Sequence, residues 1–143
     1  MAFVPTVQHI QKARFVVNPF TPQRMAEIAA PVAKSIVDRI YRGENLNDLP
    51  AKPLSARYAR AKQIKGRQPI RNWVWGGYTL AALHVLDTRD NQALIGFSDP
   101  LSNKKAYINN AREQQFGTSR RDLDEFHRQV MSKPIVTVKV ENG

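Results

Sequence analysis

The strongest periodic signal in the chain lies between residues 21 and 43. Met25, Ile28, Ala29, Val32, Ile36 and Ile40 recur at intervals of three and four, which lays one apolar stripe along a helix. Thr21 offers an N-cap hydroxyl, and Pro22 stands at the first helical position, where a missing N–H does no harm. Gly43 is placed to end the helix. Pro31 lies inside it, cannot donate to the carbonyl of Glu27, and predicts a kink at that point. This segment is the expected central core helix.

The later pattern is more broken. "ENLNDLPAKP" reads as a loop, after which Ser55 caps a short basic helix that runs through Lys65 and ends at Gly66. Pro69 interrupts the chain, and Gly76–Gly77 implies a turn or a close backbone approach. "YTLAALHVL" fits either a helical turn or the start of a strand. "ALHVLDTRDNQALIGFSD" reads as two strands joined by the polar turn "DTRDN". Asp99 and Pro100 open a helix expected to run until Gly117. Ser119 stands three residues before Asp122, the spacing of a capping box, and opens a last helix. "PIVTVKVENG" alternates β-branched residues as a strand does.

Residues 1–20 carry Phe3, Val4, Val7, Ile10, Phe15, Val16 and Phe20, too many apolar groups for a solvated tail, while Pro5 and Pro19 argue against one long helix. They form an extended arm that either packs on its own domain or reaches a neighbouring subunit. The expected fold is α+β: a long kinked core helix packed on a small antiparallel β-sheet, with shorter helices and extended N- and C-terminal segments. An arm at 1–20, a single domain at 21–133 and a C-terminal strand or tail at 134–143 make up the 143 residues.

Composition adds one outlying feature. A hydrophobic share of 42% suffices for a modest core, but 22 basic residues against 12 acidic give a net charge of +10. That balance points to a polyanionic surface or nucleic acid nearby. The absence of cysteine excludes disulfides, thiolate metal sites and a cysteine nucleophile. The first twenty residues lack the basic start and continuous apolar stretch of a signal peptide. No apolar run approaches the roughly 20 residues that span a bilayer. A reducing, aqueous compartment and no membrane partner are therefore expected.

Little in the sequence points to catalysis. His9, His84 and His127 are far apart and in no HxxH or HExxH spacing. There is no GxSxG elbow, no Walker loop and no GxGxxG, and "WGGY" lacks the Lys or Ser of a phosphate cradle. Asp122, Asp124 and Glu125 form the one carboxylate cluster. Carboxylates in a first helical turn meet the helix dipole favourably, at roughly 0.3–1 kcal/mol each, which accounts for them without chemistry. No catalytic residue, metal, cofactor or small-molecule substrate is expected.

The basic charge concentrates in "LSARYARAKQIKGRQPIR". Arg57, Arg60, Lys62, Lys65, Arg67 and Arg71 fall here, and no Asp or Glu occurs between Asp48 and Asp87. Tyr58, Trp73, Trp75 and Tyr78 lie among or just after them. Phosphate neutralisation combined with aromatic stacking is how single-stranded nucleic acid is gripped, so these six cations are candidate contacts to DNA or to an acidic partner. The competing reading is a solvated helix with Tyr58 and Ile64 turned to the core. Trp73, Trp75, Phe3 and Phe15 are candidate interface anchors, since aromatic residues dominate interface hot spots. The tryptophans serve equally well as core residues.

Several short motifs, taken in order, resemble those of the phage virion morphogenesis proteins, a group related to tail completion and neck proteins. A "PL…Y…K" piece falls on Pro53, Leu54, Tyr58 and Lys62, and a glycine turn on Gly76 and Gly77. An "IGF" strand follows at Ile95, Gly96 and Phe97, and an "FG-S--D" motif at Phe116, Gly117, Ser119 and Asp122. The resemblance covers roughly residues 25–126. It departs from the family at the "TG" turn, which is "WGG" here, and before the "PL" piece, where "LNDL" replaces a "DG" and a Trp. It implies a non-enzymatic structural protein of the virion, made in the bacterial host cytoplasm and located at the head–tail junction. It further implies a cyclic homo-oligomeric ring contacting other neck or tail proteins, with packaged DNA as a further contact in its channel. A free basic nucleic-acid-binding module is the alternative.

Overall fold

The structure, a computed structural model, describes residues 11–17, 20–74, 78–132 and 136–142. In chain order its elements are β1 (Gln11–Val17), α1 (Pro22–Tyr41), α2 (Ala56–Ile64), α3 (Tyr78–Ala81), β2 (Leu83–Arg89), β3 (Gln92–Phe97), α4 (Pro100–Arg112), α5 (Arg120–Met131) and β4 (Val136–Asn142). The fold is α+β, with the long helix α1 packed on a two-stranded antiparallel sheet and flanked by shorter helices, as the sequence pattern indicates.

Helix α1 begins where its capping signal stands. The Thr21 hydroxyl accepts the Arg24 N–H at 3.2 Å, and the helix continues for ten residues beyond Pro31. It stops at Gly43, whose φ of 76° suits glycine and whose N–H donates to the Ile40 carbonyl. All six stripe residues are buried. Val32, Ile36 and Ile40 pack with Trp73, Leu80, Leu83 and Ala106, and with the partly buried Val85, Ile95, Phe97 and Phe116, into one core. Phe97 links two aromatic contacts, its ring centroid 6.1 Å from Trp73 and 5.3 Å from Phe116.

Strands β2 and β3 form a hairpin in register from Leu83↔Phe97 to Arg89↔Gln92. Its tip is Asp90–Asn91, with Asn91 at a φ of 61°, which asparagine tolerates. The Asn91 N–H donates to the Phe20 carbonyl at 2.8 Å, so the hairpin tip holds the chain entering α1. A register shift between Val85 and Asp87 leaves Leu86 exposed. The other strand pair joins the chain's two ends: β1 and β4 run antiparallel from Gln11↔Asn142 to Val17↔Val136.

Helix α4 departs from expectation. Asp99 caps it, accepting the Ser102 N–H at 2.8 Å, but it ends at Arg112 and not near Gly117. Glu113 turns extended, and the Asn110 side chain accepts the N–H groups of Gln115 and Phe116 at 2.8 and 2.9 Å. Leaving the helix carries Gln115 into the interior. There its Nε2 donates to the carbonyls of Glu44 and Arg71, and its Oε1 accepts the Trp73 indole N–H at 2.9 Å. Gly117 serves this crossing: its φ is 137°, and a Cβ there would stand 3.0 Å from Leu46 Cδ2.

One cation lies on the buried face of α1, in its last turn. Arg39 is 1% exposed, and its Nε donates to Asp122 Oδ2 at 3.1 Å. Its remaining nitrogens donate to the carbonyls of Asn45, Gln115 and Gly117. Asp122 also accepts from the Ser35 hydroxyl and from the Ser119 N–H, which closes the capping box at the start of α5. Asp122→Ala leaves the guanidinium buried without its counter-charge, and is expected to cost about 3–5 kcal/mol in urea unfolding. Ser119→Ala removes only a cap hydroxyl, and about 1 kcal/mol is expected in the same measurement.

Candidate functional site

The basic segment forms α2 as its signals indicate: the Ser55 hydroxyl accepts the Tyr58 N–H, and Gly66 follows the helix with a φ of 72°. Its charges are sorted in a way the sequence does not reveal. Arg57, Arg60 and Lys65 are exposed, and Arg67 is half-buried. Arg71, also half-buried, donates to the carbonyls of Lys52 and Pro53 at 2.9 and 3.3 Å and straps the preceding loop.

Lys62 does not belong to the outer face. It is 2% exposed, and its ammonium donates to the Ile70 carbonyl and to Asn72 Oδ1, both at 2.7 Å. Tyr58 and Ile64, which the solvated-helix reading turns to the core, are instead 43% and 75% exposed. Helix α2 thus docks through a lysine while its large apolar side chains face water. Lysine is rarely buried, so a reading from residue type inverts the helix.

Trp73 is a core residue, not an available interface anchor. It is buried, its N–H is taken by Gln115, and its backbone φ is 59°, a left-handed conformation strained for a bulky side chain. Phe15 lies in β1, in register with Val138. Phe3, Trp75 and the Gly76–Gly77 turn fall outside the described residues.

Between α2, the 70–74 segment and α4 lies a recess of about 470 Å³. Its described charged lining residues are Lys62, Arg71, Lys105 and Arg112, with no carboxylate among them. Lys105 and Arg112 come from α4. Their spacing of seven residues, two helical turns, places them on one face, a signal the sequence carried but that motif reading passed over. Asn72, Asn109, Thr79 and Tyr58 add polar groups.

A second, apolar groove of about 660 Å³ runs between α1, the β2–β3 hairpin and α5. Met25, Ile28, Val32 and Ile95 line it, and Leu94, Leu123 and Phe126 contribute surface that is 59%, 45% and 37% exposed.

The acidic cluster resolves into structural roles. Asp122 belongs to the Arg39 pair, Glu125 pairs with Arg128 and accepts from Gln129, and Asp124 is exposed. Among the described residues no group of three His, Asp or Glu side chains is placed to hold a metal, and no helix is long and apolar enough to cross a membrane. Comparison with models of protein families, with curated proteins and with solved structures found no match.

Removal from water, reinforced by the positive charge of Arg67, holds the Lys62 pKa below its ordinary 10.5. The folded chain therefore releases this proton before the unfolded chain does. Lys62 then makes stability rise with pH from its depressed folded value up to 10.5. Lys62→Met is expected to fold, because Asn72 Oδ1 keeps the Val74 N–H and the Ile70 carbonyl keeps the Asn72 N–H. Urea unfolding at a series of alkaline pH values is expected to show the rise in the natural protein and a weaker one in Lys62→Met.

Proposed function

We propose that this chain is a structural subunit of a tailed-phage or prophage virion, which assembles as a ring at the head–tail junction during tail completion. The observation that carries its assembly role is the apolar groove between α1, the hairpin and α5, with Leu94, Leu123 and Phe126 exposed around it. Exposed apolar surface of this kind marks protein contact. Assignment to the head–tail junction rests on the order of the "PL…Y…K", "IGF" and "FG-S--D" motifs. Residues of those motifs do structural work in the fold: Ile95 and Phe97 pack in the core, Gly117 and Asp122 accept from Arg39, and Ser119 caps α5 against Asp122. Such roles suit a shared architecture without shared catalysis.

In the proposed ring the groove receives the β1–β4 ribbon of a second copy. The register pairs Ala13, Phe15 and Val17 with Val140, Val138 and Val136, so three of the ribbon's pairs join two apolar residue types. A two-stranded ribbon is marginal in water by itself, and an apolar neighbour stabilises it. Head-to-tail contact between ribbon and groove closes into a ring under cyclic symmetry. The exposed Arg57, Arg60 and Lys65 are then free to face DNA phosphates or an acidic neighbouring ring.

Light scattering on the purified protein is expected to give a multi-subunit mass that grows with concentration. Leu94→Glu combined with Leu123→Glu is expected to reduce it to the monomer mass with unchanged circular dichroism. A natural protein that stays monomeric at every concentration and binds duplex DNA steeply as salt falls would replace this reading with the free nucleic-acid-binding module.

A further inference from the structure

Two described cations are almost wholly withdrawn from water, and the fold treats them differently. Arg39 has the Asp122 carboxylate. Lys62, at 2% exposure, has only two neutral oxygen acceptors, and among the described residues no carboxylate lies within ion-pair distance of it. A buried charge without a counter-charge is costly, and neighbouring cations raise that cost. Arg67 is the cation that acts on it, and Arg71, Lys105 and Arg112 line the same recess with no carboxylate within 4 Å among the described residues, although Lys105 interacts with the more distant charge of Asp99. An anion in the recess would meet positive charge from both α2 and α4.

The recess has room for more than a simple ion. At about 470 Å³ it lies in the range of small-ligand sites, roughly 300–1,000 Å³. Tyr58, an aromatic residue, stands half exposed among its lining residues. Asn72, Asn109 and Thr79 add neutral hydrogen-bonding groups. A phosphate monoester suits the charge better than a carboxylate, since it carries about −1.5 to −2 near neutral pH and presents three acceptor oxygens to converging donors. A duplex is a convex rod whose phosphates meet the outer cations but do not enter a recess floored by a buried lysine.

We propose that this recess binds a phosphate-bearing ligand of nucleotide size, with its phosphate held by Lys62, Lys105 and Arg112 and its sugar or base against Tyr58. The ligand is either a free nucleotide or one nucleotide of a single strand guided in by Arg57 and Arg60. The site stands apart from the ring: it is read by ligand binding and not by mass.

The test is calorimetric titration of the full chain with inorganic phosphate, a nucleoside 5′-monophosphate, the same nucleoside without phosphate, and a short single-stranded oligonucleotide, all at matched ionic strength. The monophosphate is expected to bind and the bare nucleoside not to. Lys105→Ala with Arg112→Ala, both exposed positions, is expected to weaken binding at least about tenfold while the chain stays folded, because each removes a charge-assisted phosphate contact. Lys62→Met is expected to abolish it, and Lys34→Ala, an exposed cation on α1, to leave it unchanged. An oligonucleotide that binds tighter than the monophosphate and loosens steeply with salt identifies nucleic acid as the source, whereas equal affinities identify the free nucleotide. No binding of any phosphate ligand at millimolar concentration, or undiminished binding in the double variant, overturns the proposal.

Discussion

The buried pair of Arg39 and Asp122 is the interaction on which the rest of the architecture depends. From the last turn of α1, one guanidinium reaches Asp122 on α5 and the carbonyls of Asn45, Gln115 and Gly117 on two separate loops. No aliphatic side chain can hold four partners at fixed angles, and the planar donor fork of arginine can. Such a pair adds little net stability over well-packed apolar residues, because two charges must leave water. Its physical contribution is geometric: it fixes where α5 and the 113–117 crossing lie against α1. Gln115 extends the same logic by tying Glu44, Arg71 and Trp73 around one amide.

The second buried cation gives the molecule its chemical asymmetry. Where Arg39 organises a closed core, Lys62 fastens α2 to the 70–72 segment through neutral acceptors and leaves positive charge on the wall of an open recess. The basic segment therefore has two sides. Arg57, Arg60 and Lys65 project outward, while Lys62 and Arg71 hold the segment in place and meet Lys105 and Arg112 across the recess. The proposed ring uses the apolar groove beside α1 and α5, and the proposed phosphate site uses the recess beside α2 and α4. The two surfaces share no described lining residue, so each can be occupied without the other.

The sequence by itself determined whatever depends on neighbours a few residues away. Thr21 with Pro22, Ser55, Asp99 with Pro100, and the Ser119–Asp122 box all start helices where they stand. The three- and four-residue stripe on α1 is the buried face, and the polar "DTRDN" segment contains the hairpin tip. Each of these is a local hydrogen bond or a local periodicity, so adjacent residue types suffice to specify it. Half of the candidate site was legible in the same way, as a run of cations without carboxylates.

Only the tertiary structure decided the remainder. The partner of Arg39 lies 83 residues away, and the local reading of Asp122 as a helix-dipole acid missed the pair. Helix α4 stops at Arg112 because the interior has a place for Gln115, and not because the intervening residues cannot be helical. Lys62 is inside and Ile64 outside because two acceptors at Ile70 and Asn72 sit where the lysine reaches them. Trp73 holds a left-handed backbone because the core grips its ring and Gln115 takes its N–H. In each case a contact between distant segments outweighs a local preference of a kcal/mol or so, and such contacts exist only once the chain has folded.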